Sequence, residues 1–449
     1  MNITQFTMEE VRCFAGHQEF KIRPLTFLVG ENSTGKTTAL GCFQVLANYL
    51  GGESVHFNSD PYSMGVFRDI VRNSKKEEKA FELGFTFGGE NENLDFVVEF
   101  AKKKGGFEPI VKSITIKFID GEMVLRRFDD ITEWLRDVPV KKVGATTWRE
   151  VPNMRLASFN KGRNQYCVDM YADFLDRTPF PFLSNRFSHG GEGEDALVSF
   201  LGKKEKDIGI PWWQIGERIA VFSAAPIRSR PKRTYDPTRE FYDPEGSHVP
   251  MQLMRMQATE RGRWEGLKEQ LIEFGKRSGM FQNIDVKNLG GSMGNPFQLK
   301  VKVRGPNSNI VDVGYGVSQI LPILVNSLDP PIRRGPLMEK PFFLLQQPEV
   351  HLHPRAQAEL SSLLAMSSQF RLGCIVETHS DYMIDRARIE IRKGNIRPED
   401  VSLIYLEPKR NVVKVHNISF DKMGNMEGVP QHYRDFFMTE YRRLMGFED

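Results

Sequence analysis

The octapeptide Gly30-Glu31-Asn32-Ser33-Thr34-Gly35-Lys36-Thr37 constrains this chain more than any other stretch. It follows the apolar run Leu25-Thr26-Phe27-Leu28-Val29, which predicts a strand. It precedes a segment that sets Leu40, Phe43, Leu46, Ala47 and Leu50 on one helical face. A G-x-x-x-x-G-K-[ST] pattern between strand and helix is a phosphate loop. Its glycines let backbone N–H groups face a polyphosphate, and the helix N-terminus adds a positive dipole end. In this arrangement Lys36 reaches the β- and γ-phosphates, and the Thr37 hydroxyl sits on Mg²⁺. Asn32, Ser33, Thr34 and Thr38 complete the cradle. The expected ligands are ATP and Mg²⁺; a glycine-rich turn that only caps a helix is the plainer alternative.

The 449 residues are enough for two or three lobes and a large core. Charges are well mixed and the net charge is +3, so no global field selects nucleic acid or a membrane surface. Cys13, Cys42, Cys167 and Cys374 are scattered without a C-x-x-C pair, which reads as reduced thiols and not as disulfides or zinc ligands. The first residues lack the basic and apolar regions of a secretion signal, and no run approaches a membrane span. The expected location is the cytoplasm.

Alternation in Phe81–Phe87 and Leu94–Phe100 predicts an antiparallel sheet beside the nucleotide core. Residues 1–117 form the expected first lobe. From 118 to 299 the pattern is irregular, with no sustained heptads, and predicts a compact, partly helical insertion. Residues 300–416 return to α/β character. Buried-type strands are expected at Phe342–Leu345 and Leu372–Val376, with an amphipathic helix from Arg355 to Ser368 between them. A tail over 417–449 ends in an expected helix from Tyr433 to Met445.

Three further motifs follow in order. Asp312-Val-Gly-Tyr-Gly-Val-Ser-Gln319 precedes an apolar run and predicts a glycine-rich turn that opens a helix near Ser318. Phe342-Phe-Leu-Leu-Gln-Gln-Pro-Glu-Val-His-Leu-His-Pro354 is a buried strand with a polar end. Val376-Glu-Thr-His-Ser-Asp381 ends a second one. Parallel sheets bind ligands at the carboxyl ends of their strands, so both tips can serve one nucleotide.

This order resembles ABC-type ATPases: phosphate loop, signature, Walker B strand, D-loop and switch histidine. Within them the chain is most similar to the RecF/SMC-related, OLD-like AAA family ATPases of prokaryotic antiphage defence systems. The segments that carry the likeness are G-Y-G-V-S-Q-I-L-P, Q-P-E-V-H-L-H-P, V-E-T-H-S-D-Y and the tail Val429-Pro-Gln-His-Tyr-Arg-Asp-Phe-Phe437. They cover about the first fifty residues and the chain from about 310 onward. The resemblance implies an α/β fold: an ABC-type ATPase head with a Rossmann-like core, a flanking antiparallel sheet and a compact helical insertion. It assigns Gly316 and Ser318 to the γ-phosphate of a partner subunit's nucleotide, His351 and His353 to the D-loop, and His379 to the switch histidine. A homodimer or higher homo-oligomer follows from such composite sites. PARIS-like and Septu-like systems pair such an ATPase with a separate nuclease effector, so a sensor or scaffold with a phage-encoded trigger is the implied context. Two other classes stay open: a RecF-like clamp that binds DNA, and a nuclease acting alone.

One departure stands out. Related chains carry a carboxylate at the end of the Walker B strand, where Gln346 and Gln347 stand here and the nearest acid is Glu349. Glutamine can hydrogen-bond a metal-bound water but is no general base. Three readings follow: a deliberate exchange at Gln346 that traps ATP, a naturally slow ATPase, or a catalytic Glu349. The catalytic candidates are therefore Gln346, Gln347, Glu349 and His379, with Thr37 and Gln346 toward the metal. Zinc at His351 and His353 is weakly supported, for no matching Cys/His cluster accompanies them. The run Arg228-Ser-Arg230-Pro-Lys232-Arg233 suits nucleic-acid phosphate or a solvated face. Trp212-Trp213 reads as core packing before a protein-contact anchor, and Asp169, Asp173 and Asp176 read as helix-surface charges and not a nuclease cluster.

Overall fold

The computed structural model describes residues 2–73, 79–88, 93–128, 154–160, 165–171, 203, 219–237, 241–290, 294–331, 341–370, 372–431, 433, 442–443 and 445. The chain opens with β1 (Asn2–Val11), β2 (Phe14–Lys21), β3 (Leu25–Gly30) and α1 (Lys36–Leu50). A small hairpin, β4 (Asn58–Ser59) and β5 (Tyr62–Ser63), and one helical turn, α2 (Phe67–Ile70), lead to β6 (Ala80–Gly88) and β7 (Asn93–Lys102). Then come β8 (Pro109–Phe118), β9 (Gly121–Phe128), β10 (Met154–Asn160), β11 (Gln165–Tyr171) and β12 (Val221–Ala224). Two helices, α3 (Val249–Thr259) and α4 (Arg261–Ser278), precede β13 (Asn283–Asn288), β14 (Phe297–Lys302), β15 (Ser308–Asn309) and α5 (Tyr315–Leu328). The rest comprises β16 (Phe342–Gln346), α6 (Pro354–Phe370), β17 (Gly373–Glu377), α7 (Asp381–Arg392), β18 (Val401–Lys409), β19 (Val412–Phe420) and β20 (Met426–Glu427). This is a mixed α/β protein with several sheets.

Two compact units alternate along the sequence. The first holds Met1–Ile22, Thr37–Ala225 and Pro330–Leu344; the second holds Arg23–Lys36, Pro226–Asp329 and Leu345–Asp449.

The first unit contains the sheet β10-β11-β9-β8-β7-β6-β1-β2. Its neighbours pair antiparallel except β11 and β9, which run parallel. Period-two burial explains the strands: Phe81, Leu83, Phe85 and Phe87 of β6, and Leu94, Phe96, Val98 and Phe100 of β7, all face the core. Phe43 of α1 packs edge-on against Phe6, Phe85 and Phe342 at centroid separations of 5.5, 4.9 and 5.3 Å. Such pairs add about 0.5–1.5 kcal/mol each beyond burial. All five residues of the expected α1 face are buried, yet the helix is covered on nearly every side. Gln44, on its other side, donates to Asp60 O and accepts from Ser223 Oγ.

The sheet continues past residue 117 through β9, β10 and β11, where the sequence reads as an irregular insertion. Among the described side chains of β9, Met123 and Leu125 are the buried apolar ones, too short an alternation to stand out. Asp169 therefore lies on a strand and not on a helix surface. Asp173, Asp176, Trp212, Trp213 and most of the expected tail helix lie outside the described residues.

In the second unit β3 is flanked by β17 and β18, both parallel to it, and β19 and β20 extend the order antiparallel. β3 and β17 are almost continuously buried, as parallel strands covered on both faces must be. Helices α6 and α7 are tied by Ser361 Oγ, which donates to Met383 O at 2.6 Å. Among the described residues no helix is long and apolar enough to cross a membrane.

Candidate functional site

The phosphate loop leaves the carboxyl end of β3 through left-handed backbone. Gly30 has φ +151°, and a Cβ there would lie 2.7 Å from Leu406 O, so only glycine fits. Ser33 and Gly35 also have positive φ, 63° and 88°. Thr34 Oγ1 donates to Glu31 O at 2.8 Å and closes the turn. Lys36 is buried, and its ammonium donates to Gly30 O at 3.0 Å and Glu31 O at 2.6 Å. Burial pulls the Lys36 pKa below the usual lysine value, opposed by the charges of Glu377, Glu31 and Glu349 in that order. Asn32, Ser33 and Thr37 are exposed. Thr38 is buried in the first unit, where its Oγ1 accepts from Arg12 Nη1 at 2.9 Å.

Two strand ends meet next to this loop. Gln346 closes β16 and is buried; Gln347 follows with φ +41° and donates its N–H to Glu377 O at 2.8 Å. Thr378 donates its N–H to Leu28 O at 3.1 Å, which pins the end of β17 to β3. Glu349 Oε1 accepts the His379 N–H at 2.7 Å, while its buried Oε2 has no protein partner. Burial raises the Glu349 pKa, and hydrogen bonds from His379 and Thr378 and the Arg228 charge act against it. The His379 ring is exposed; desolvation and then the Lys36 charge lower its pKa, which keeps the imidazole neutral near pH 7. Lys36, Glu349, Glu377 and His379 thus form one electrostatic cluster.

The glycine-rich turn behaves as its sequence predicts. Gly314 precedes α5, and Ser318 sits in its first turn with Oγ donating to Tyr315 O at 2.7 Å. A Cβ on Gly316 would meet His351 O at 2.7 Å, so the helix start rests on the backbone of the turn after β16. The exposed rings of Tyr315 and His351 pack edge-on at 5.1 Å. His353 Nδ1 accepts the Arg355 N–H at 3.3 Å and caps α6. Among the described residues no group of three or more His, Cys, Asp or Glu is placed to hold a metal ion.

Sequence reasoning does not single out Glu377, and it reads Arg228 only as part of a basic run. Glu377 is a buried acid ending an apolar strand, and that contrast was its signal. Arg228 is only 1 % exposed, so the basic run is not one solvated or phosphate-binding face. Gln319 clasps the Arg228 backbone, accepting its N–H at 3.2 Å and donating to its carbonyl at 3.4 Å. Arg228 Nη2 donates to Gln347 O at 3.4 Å, whereas Nε and Nη1 have no protein partner. Burial lowers its pKa to about 10 while Glu349 and Tyr315 oppose the shift. Arg230, Lys232 and Arg233 are exposed, and Arg233 is paired with Asp312.

Residues 277–385 match the protein-family model described as "AAA domain, putative AbiEii toxin, Type IV TA system". The matched segment contains Gly316, Ser318, Gln346, Gln347, Glu349, Glu377 and His379 but not Lys36. No curated protein matches the chain. Among solved structures, an SMC head bound to the C-terminal winged-helix domain of ScpA is 12 % identical, with 94 % of this chain and 99 % of that chain covered and a TM-score of 0.46. The SMC head domain from Thermotoga maritima is 11 % identical over 92 % and 98 % of the two chains, at 0.38. A head domain with an extended coiled coil, bound to a C-terminal ScpA domain derived from Pyrococcus furiosus, is 11 % identical over 93 % and 96 %, at 0.41.

Proposed function

We propose that the chain is an ABC-type ATPase that binds and hydrolyses ATP–Mg²⁺ and acts as a sensor or scaffold for a separate effector. The observation that carries this reading is the seating of Lys36. Its buried ammonium is held by the loop carbonyls of Gly30 and Glu31, at the carboxyl edge of β3, with His379 within electrostatic reach. A cation held in a loop of this shape is matched to a polyphosphate, which would take over contacts that the two carbonyls make.

The donor set also suits a nucleotide-bound magnesium ion, which commonly takes one or two protein ligands beside phosphate oxygens and water. Thr37 in the first turn of α1 and Gln346 at the end of β16 are the sequence-derived candidates, with Glu377 and the unpartnered Glu349 Oε2 as acidic neighbours in the Lys36 cluster. When bound, the ion would neutralise charge on the β- and γ-oxygens. Lys36 supplies positive charge to the same oxygens, and a neutral His379 offers a donor or acceptor to the γ-phosphate.

The exposed Tyr315–His351 pair supports a second copy of the chain as partner. Both signature and D-loop residues reach the surface there, where a nucleotide held by the partner would complete the site. Control of an effector nuclease in antiphage defence rests on the resemblance of the motifs. Titration of a fluorescent ATP analogue into the protein and its Lys36→Ala variant tests the reading: saturable binding lost in the variant supports it, and equal binding refutes it.

A further inference from the structure

Resting on that ATPase reading, we infer that Glu377 is the carboxylate that serves the metal–nucleotide at Lys36, in place of the uncharged Gln346 and Gln347. Position argues for it first. Glu377 is the last residue of β17, the strand between β16 and β3, and pairs with Leu28, two residues before Gly30. Its carbonyl accepts the Gln347 N–H at 2.8 Å, and the next residue, Thr378, is bonded to Leu28 O. The backbone of Glu377 is therefore fixed from both neighbouring strands, and the residue is only 4 % exposed. Such fixing is what a group needs if its charge is to be in place before the reaction.

The neighbouring acids point the same way. Of the acids near the loop, Glu377 is the buried one that ends the strand next to β3. Glu31 is exposed at the loop surface, where water screens it. Glu349 holds the His379 N–H with one oxygen and answers the buried Arg228 charge. It orients the segment at His379, while Glu377 ends the strand beside the one that leads into the Lys36 loop. A buried acid at the end of an apolar strand is costly unless positive charge stands near it, and the Lys36 ammonium lies within electrostatic reach.

The test compares wild type with Glu377→Gln, Glu349→Gln and the exchange variant Gln346→Glu/Glu377→Gln. Affinity for a fluorescent ATP analogue is measured with Mg²⁺ and with EDTA, and turnover is measured in parallel. In wild type Mg²⁺ should tighten binding. Glu377→Gln should bind in EDTA as wild type does, lose about tenfold of the Mg²⁺ enhancement and slow turnover about a hundredfold. Glu349→Gln should retain the Mg²⁺ enhancement. The exchange variant should regain it, because the carboxylate returns to the same cluster from the neighbouring strand. Unchanged Mg²⁺ enhancement in Glu377→Gln, or its loss in Glu349→Gln alone, overturns the inference while leaving ATP binding intact. Wild type that binds no ATP overturns the ATPase reading, and this inference with it. If Glu377→Gln does not fold, Glu377→Asp decides: retained charge with retained Mg²⁺ enhancement but slowed turnover supports the role, and wild-type turnover rejects it.

Discussion

Glu349 Oε1 accepts the backbone N–H of His379 at 2.7 Å, a side-chain bond that ties the turn after β16 to the end of β17. The buried Arg228 charge acts on the same carboxylate, and Gln319 of α5 holds the Arg228 backbone on both sides. The start of α5 and His379 are thereby coupled through two buried ionisable side chains. Their burial makes the connection costly to break from one side only.

Arg228→Met should therefore remove one of the two cations that act on the buried Glu349, Lys36 being the other, and lower stability by about 3 kcal/mol. The double variant Arg228→Met/Glu349→Gln should recover most of that loss, because neither charge then remains to be solvated. Urea unfolding of wild type, the two single variants and the double variant measures this. Losses that add, with no recovery in the double variant, would show that the two groups do not act on each other.

The close approach at the signature gives a second expectation. A methyl group at Gly316 would sit 2.7 Å from His351 O, so Gly316→Ala should force the start of α5 off the D-loop, at a cost of about 1–3 kcal/mol. Thermal unfolding measures the cost, and a variant as stable as wild type would mean that the helix start adjusts freely.

Ser318 gives a third. It is buried, with Oγ bonded to Tyr315 O, and the motif resemblance assigns it to a partner's nucleotide. Ser318→Arg should keep ATP affinity within about threefold, a difference under 1 kcal/mol, and abolish ATP-dependent dimerisation. Light scattering with and without ATP decides, and normal ATP-dependent dimers would reject the composite site.

Much of this site was legible in the sequence because its determinants are local. The run Leu25–Val29, the glycines at 30 and 35 and the apolar face from Leu40 to Leu50 each specify a strand, a left-handed turn or a helix within a few residues. The strand ends at Gln346 and Glu377 were legible for the same reason. Arg228 was not, because its burial depends on Gln319 and Gln347, 91 and 119 residues away. The reach of the eight-stranded sheet beyond residue 117 was also hidden: β9 pairs in parallel with β11, a contact between distant segments that no local alternation announces.

The thiols offer a check on packing in both units. Burial pushes the Cys42 pKa up to about 12 and raises that of Cys374 as well, so both are un-ionised at pH 8. Only the thiolate reacts with maleimide or iodoacetamide at a useful rate. Both cysteines should resist labelling in the native protein and label promptly in denaturant, as read by peptide mass spectrometry. Rapid native labelling of either would contradict the packing around α1 or β17.

The account stands most directly on the phosphate loop. Equilibrium titration of the wild-type chain with ATP and Mg²⁺, beside Lys36→Ala, measures it. Saturable binding in the wild type, weakened at least about a hundredfold when the ammonium is removed, is the predicted result. Equal affinity in the two proteins would contradict it.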